Sequence, residues 1–251
     1  MGARKNREEF EIEALTHEVA KKYHALEDER AVMNIRQSLT RLVVGILGAR
    51  DFAKARGIEC YGKGREVIVR IGRKNCLRVL DMGCGSTDAE KEFRAPEQAR
   101  QFEPWLCRTL HLLGQKPMGI DIHMPNHGKK EAWEFHQMNL ADITDMMSMS
   151  RRIPDKSVDV VNIDRLIPAG VGDHENMSPE LRPMVALGPE AIAVMLLSIY
   201  HEAFRVSKEG GLLLVNNYRY SKKMGMKNWD LENPEPIFDP ALFKKENMAK
   251  F

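Results

Sequence analysis

From Leu77 onward the chain alternates short apolar runs with longer amphipathic ones, and this alternation restricts the fold more than any other feature. Leu77-Arg78-Val79-Leu80-Asp81 runs into Gly83 and Gly85, as a buried strand does on entering a tight turn. Further strands are expected at Met118–Ile122, Phe135–Leu140, Val158–Ile163 and Leu212–Val215. Helices are expected at Pro104–Leu113, with proline in the first turn, and at Pro189–Val206. Strands that alternate with helices argue for a parallel sheet covered on both faces. The expected fold class is α/β, a doubly wound and mostly parallel sheet. Right-handed crossovers then bring every loop that follows a strand to the same edge, where ligands bind.

The first sixty residues follow a helical period instead. Ile12, Leu15, Val19, Tyr23 and Leu26 form one apolar stripe, and Val32, Ile35, Leu39, Leu42, Val43 and Ile46 form a second. Residues 1–60 therefore read as a helical N-terminal extension whose stripes need a partner, with residues 61–251 as the main domain. A short strand is expected at Val67–Val69. Charge is uneven although the whole chain carries only +2: residues 36–75 hold ten basic and three acidic side chains. That block would attract an anionic partner such as nucleic acid, or would form a solvated helix face and a polar linker. No aromatic residues interleave its charges as stacking platforms would require. The longest apolar run, Leu42–Ala49, falls far short of the ~20 residues that span a bilayer. With no apolar stretch behind the charged start and no CxxC among its four cysteines, the chain is expected to be cytoplasmic, with reduced thiols.

Chemistry concentrates in Asp81-Met82-Gly83-Cys84-Gly85-Ser86. A strand feeding Gly-x-Gly brings bare backbone close to a ligand. A dinucleotide site would want a third glycine at position 88, where this chain has an aspartate that would repel phosphate. The stretch resembles the first motif of the class I, Rossmann-like S-adenosylmethionine-dependent methyltransferases, in which an apolar strand, an acid and x-Gly-x-Gly follow one another. The resemblance extends over about residues 76–217. Gly119-Ile120-Asp121 matches the strand whose terminal acid accepts both ribose hydroxyls, and Asn139 stands near the place of the adenine amine, with Asp142 as an alternative. Asp159 matches an acid near the start of the next strand, and Arg205 to Gly211 matches the turn before the fifth strand. The resemblance implies S-adenosyl-L-methionine as cofactor, bound by Asp81, Gly83, Cys84, Gly85, Asp121, Ile122, Asn139 and Leu140, and a methyltransferase activity.

Three segments depart from the pattern. Ser86–Phe102 is a charged insertion, either a flap over the cofactor or an exposed loop. Residues 165–188 form a long segment on the ligand edge. The family's closing antiparallel hairpin follows a final helix; Asp239–Phe251 reads as that helix, with little sequence left for the hairpin. Asp164, Arg165 and His174 lie on the edge where the methyl group would sit, as candidate base or substrate anchors. Metal-dependent O-methyltransferases of this fold hold Mg²⁺ with an acid and an Asp-Asn pair at such points. Here the pair is Asn216-Asn217, which removes a carboxylate, so no metal is expected. His123 and His127 flank Pro125 in a polar loop, not a helix. The acceptor is expected to be a small polar molecule. An RNA acceptor served by the basic block, or a non-catalytic cofactor-binding subunit, are the alternatives.

Overall fold

The computed structural model describes residues 9–61, 68–71, 76–86, 103–123, 132–164, 166, 186–216, 218–223, 227, 229 and 235–236. The main sheet is seven-stranded. Five of its strands are parallel: β4 (Arg78–Met82), β5 (Lys116–Asp121), β6 (Glu134–Gln137), β7 (Val158–Ile163) and β8 (Ser207–Val215). Two more, β9 (Tyr218–Ser221) and β10 (Glu235–Pro236), join antiparallel beyond β8. The order across the sheet is β10-β9-β8-β7-β4-β5-β6. The chain moves outward from β4 through β5 to β6, then returns to the other side of β4 with β7. Winding direction thus reverses between β4 and β7, and in open α/β sheets the ligand crevice opens at that switch point, outside the carboxyl ends of the strands.

Successive residues of a strand face opposite sides, and here both sides are apolar. Leu80, Met82, Val161, Ile163, Leu213 and Val215 pack into one core with α5 (Ile143–Arg152) and α6 (Pro189–Val206). Val79, Val160, Leu212 and Leu214 pack into the other core. That second core is covered by α1 (Ile12–Lys22), α2 (Glu29–Gly48), α3 (Arg50–Ala55) and α4 (Trp105–Leu112). The expected doubly wound α/β arrangement, with helices on both faces, is the one observed.

The N-terminal layer is more than helical. Its strands β1 (Glu9–Glu11), β2 (Ile58–Tyr61) and β3 (Ile68–Ile71) form a separate antiparallel sheet in the order β1-β3-β2, which runs across the expected boundary at residue 60. Asp28 caps α2 by accepting N–H bonds from Arg30 and Ala31, each at 3.0 Å. The α1 stripe stops short of Leu26, which is 40% exposed, because His24 turns the chain at φ 54°. Within α2, Gly45 lets the helix lie directly on the sheet, since a Cβ there would come within 2.7 Å of Leu214 Cδ2. No described helix is long and apolar enough to cross a membrane.

Several boundaries differ from the sequence reading. Helix α5 was not expected; Asp142 caps it by accepting from the Thr144 and Asp145 amides at 2.7 and 3.2 Å, and Met146 and Met149 supply its buried side. The segment Ser207–Gly211 belongs to β8, with Gly210 at φ 74°, and pairs back to Lys222 through N–H to O bonds of 2.7 and 2.9 Å. The antiparallel edge follows β8 directly, rather than following a final helix. The segment 239–251 and most of 86–102 and 165–188 lie outside the described residues.

Removing residues 1–56 would strip α1, α2 and α3 from the Val79–Val160–Leu212–Leu214 face and leave only α4 of its helical cover. The truncated chain is expected to aggregate or to lose its sharp thermal transition, followed by circular dichroism and light scattering. A truncated chain that melts as sharply and at the same temperature as the full one would show that the layer is not part of the core.

Candidate functional site

The Gly83–Ser86 turn leaves the central strand at the switch point and is laced to the end of β5. The amides of Gly83 and Cys84 both donate to Ile120 O, at 2.8 and 3.0 Å. Gly83 and Gly85 have φ of 77° and 89°, a region that glycine enters without Cβ strain. At Gly83 space adds to conformation, since a Cβ would lie 2.9 Å from Leu166 Cδ1. Cys84, buried between the two glycines, packs where Gly119 leaves room: a Cβ on Gly119 would stand 2.7 Å from both Cys84 Sγ and Trp133 Cζ3.

Asp121 closes this turn. Its Oδ2 accepts the Gly85 N–H at 2.8 Å and its Oδ1 accepts the His123 N–H at 3.2 Å. Burial pushes the carboxyl above its ordinary range, while those amide donors pull it down. Both oxygens are thereby held at the strand end, beside bare backbone. Ile122 follows at half-burial, with its carbonyl accepting from Gln137 Nε2 at 3.1 Å.

Asp81 points elsewhere. It lies on the α2 and α4 side of the sheet, buried, with Oδ1 accepting the Asn162 Nδ2 proton at 2.6 Å. Asn162 Oδ1 in turn accepts from Arg41 Nη2 at 2.9 Å, and Arg41 Nη1 is ion-paired with Asp164. Burial raises the Asp81 carboxyl to about 7; the Asn162 hydrogen bond and Arg41 lower it, and the nearby carboxylates of Asp164 and Asp121 raise it. The motif acid thus forms part of the wall behind the turn.

On the third strand's exit, Leu140 is buried and Asn139 turns back on its own loop. Its Oδ1 accepts the Ala141 N–H at 2.9 Å, and its N–H donates to Asp145 Oδ2 at 2.7 Å. Asp142, the alternative, is the exposed cap of α5, and its carboxyl is lowered by the Asp145 and Thr144 amides. Asp164 does stand at the switch point: Ile163 is in register with Met82, so Asp164 lies level with Gly83. Asn216 begins the turn after β8 at φ 49°, its N–H donating to Ile163 O at 2.9 Å. Arg165, His174 and Asn217 lie outside the described residues.

Much of the basic block is spent on internal pairing. Arg36 pairs with Glu13 at 2.8 Å, Arg41 and Arg56 pair with Asp164 and Asp159, and Arg70 pairs with Glu9 at 2.9 Å. Arg41 was not singled out by sequence reading. Its only signal is a basic residue beside Leu42 on the stripe of an apolar helix, where a charge needs a buried partner.

No family model matches the chain, and no curated protein does. Among solved structures, the chain is similar to the MycE methyltransferase from the mycinamycin biosynthetic pathway in complex with Mg and SAH. That likeness has 16% identity and a TM-score of 0.32, and covers 56% of this chain and 30% of that one. It is also similar to PH0851, at 13% identity and a TM-score of 0.29, covering 84% of this chain and 56% of that one. The chain thus spans less than two thirds of either protein, and both likenesses are too slight to carry over a site or a substrate.

The raised Asp81 carboxyl has a consequence for stability. Its folded value of about 7 lies above the ordinary 3.8, so between these values the unfolded chain has released a proton that the folded chain keeps. Stability contributed by this group is therefore full below about pH 4 and falls as pH rises towards 7, by roughly 4 kcal/mol at most for a shift of this size. Asp81→Asn keeps the acceptor for Asn162 and should remove this part of the decline. Denaturant unfolding of both proteins on either side of the window checks it, and equal pH slopes would refute the assignment.

Proposed function

We propose that this protein binds S-adenosyl-L-methionine and transfers its methyl group to a small polar acceptor. The observation that carries the reading is Asp121, a carboxylate fixed at the end of β5 by the Gly85 N–H at 2.8 Å, beside the crevice at the switch point. A vicinal diol presents two donors, and an aspartate held by backbone amides still offers an acceptor lone pair on each oxygen. The turn itself suits an uncharged or cationic ligand better than a phosphate. Asp121 and Asp164 stand beside it with Asp81 behind, and Arg41 offsets the charge of Asp164 and Asp81.

The cofactor supplies an electrophilic methyl on a sulfonium. This chain supplies placement. Asp121 would hold the ribose, and the Gly83–Gly85 backbone, free of side chains, would admit the amino-acid end of the ligand to close range. Leu140 and Ile122 would line the adenine side. Asn139 would serve there through its second carbonyl lone pair, the first being taken by Ala141. Asp164 is held by a guanidinium, so it serves as a fixed anion at the mouth, and alignment, not a strong base, is the main contribution to rate. Asp164 and Asn216 make this edge polar, which favours a polar acceptor over an apolar one. The internal pairing of the Arg36–Arg70 block favours a small molecule over RNA.

Asp121→Ala should weaken binding of S-adenosylmethionine by about 1.5–3 kcal/mol, roughly tenfold or more, the scale of hydrogen bonds to a charged group. Titration calorimetry reads this directly. Equal affinity in wild type and variant would sink the cofactor assignment. A panel of polar metabolites and RNA, scored by release of S-adenosylhomocysteine, then separates acceptor classes.

A further inference from the structure

Among the described residues of the N-terminal layer, Arg41 reaches the carboxyl edge of the main sheet. Arg41 lies four residues before Gly45 on α2, on the same face of the helix, and Gly45 sets that face against Leu214 with no intervening side chain. The guanidinium lands at the carboxyl end of β7 and forks: Nη1 meets Asp164, and Nη2 donates to Asn162 Oδ1 at 2.9 Å. The second arm fixes which way the Asn162 carboxamide lies, so its Nδ2 donates to Asp81 at 2.6 Å. One continuous chain of charge-assisted hydrogen bonds thus joins Asp164, Arg41, Asn162 and Asp81 across β7 and β4. Within it the Arg41 side chain is 7% exposed and the Asp164 side chain 19%, so the pair meets solvent through its carboxylate.

Stability alone does not account for this arrangement. A buried ion pair replaced by apolar side chains of similar volume often leaves a protein as stable or more so. The same face of α2 buries Asn34, Val44 and Gly45, and Val44 shows that an apolar side chain is accepted beside Arg41. The fork does what an apolar residue would not: it fixes one carboxylate level with Gly83, at the mouth of the crevice.

Resting on the cofactor reading above, we propose that Arg41 is a positioning residue. Its fork holds Asp164 so that the carboxylate favours the positively charged S-adenosylmethionine over S-adenosylhomocysteine, which lacks the sulfonium charge. The residue belongs to the N-terminal layer, so that layer is part of the site as well as of the core. Arg41→Lys is the informative change, because it keeps the charge and loses the planar fork. Removing the charge outright would add negative potential and blur the direction of the effect.

Calorimetric dissociation constants for both ligands are measured on the full chain as wild type, Arg41→Lys, Asp164→Asn and the double variant, with thermal unfolding alongside. The preference for S-adenosylmethionine over S-adenosylhomocysteine is expected to fall by about fivefold to tenfold in each single variant. The double variant should be no worse than either, since the two residues act as one unit. A structural role alone would lower the melting temperature and weaken both ligands together, leaving their ratio unchanged. A folded Arg41→Lys with the wild-type ratio overturns the proposal. If that variant does not fold, the ratio in Asp164→Asn, which removes the positioned carboxylate itself, is judged by the same criterion. A wild type that binds neither ligand overturns the cofactor reading and this proposal together. A wild type that binds both, weakened by Asp121→Ala but with an unchanged ratio in the Arg41 variant, overturns this proposal alone.

Discussion

A sheet strand flanked on both sides by other strands has two faces and no way to hide either by itself. In β4, β7 and β8 both faces are apolar: Val79 against Leu80 and Met82, Val160 against Val161, and Leu212 and Leu214 against Leu213. Every other layer answers that requirement. Helices α5 and α6 come from crossovers between the strands and cover one face. On the other side the crossovers contribute α4, and the N-terminal helices complete the cover, with Leu15, Ile35 and Leu39 as fully buried side chains. The small antiparallel sheet then ties the start of that layer to its end.

Buried polar groups fasten this interior at several places and with different effects. At the amino end of β7, Asp159 accepts from Lys208 Nζ at 3.0 Å on each oxygen and from the Arg78 amide at 2.9 Å, and pairs with Arg56. It pins α3 and the start of β8 to β4, far from the ligand edge. A similar fastening sits at the end of α6, where buried Lys222 donates to Phe204 O and Ser207 O at 2.8 and 2.7 Å and its ammonium lies 4.2 Å from the Phe204 ring centroid. Burial lowers that ammonium, which the two carbonyls and the ring hold in place. At the carboxyl end of β7, Asn162 and Asp81 sit in register as neighbours on β7 and β4. There the polar chain runs out to Asp164, level with Gly83 at the carboxyl edge of the sheet.

Features set by local chemistry were legible in the sequence. Continuous apolar runs marked the strands, helical spacing from Pro189 marked α6, and the acid-x-Gly-x-Gly stretch marked the turn at the switch point. Asp121 was read from the resemblance, which places an acid at the end of the second strand of the motif region. What escaped was set by distant pairing. The small antiparallel sheet depends on Phe10 meeting Val69, a register between segments that share no periodicity. Arg41 and Asp164 lie over a hundred positions apart, and nothing in either segment names the other. Asn139 and Asp142 were read by their place in a resemblance, but their loop uses both to begin α5. Helix α5 escaped because its sequence is mostly polar: among the described residues Met146 and Met149 supply its buried side, and the capping aspartate was the better signal.

Burial raises the Asp81 carboxyl behind the turn, so its proton responds to charge that arrives in front of it. A cationic guest drawn close to Asp81 would favour its ionised form and expel protons into the medium, and a neutral guest would expel fewer. Ligand binding and buffer are therefore coupled: the heat evolved on binding depends on the ionisation enthalpy of whatever base receives the proton. Two ligands that differ by a single charge then differ in the number of protons they displace as well as in how tightly they are held.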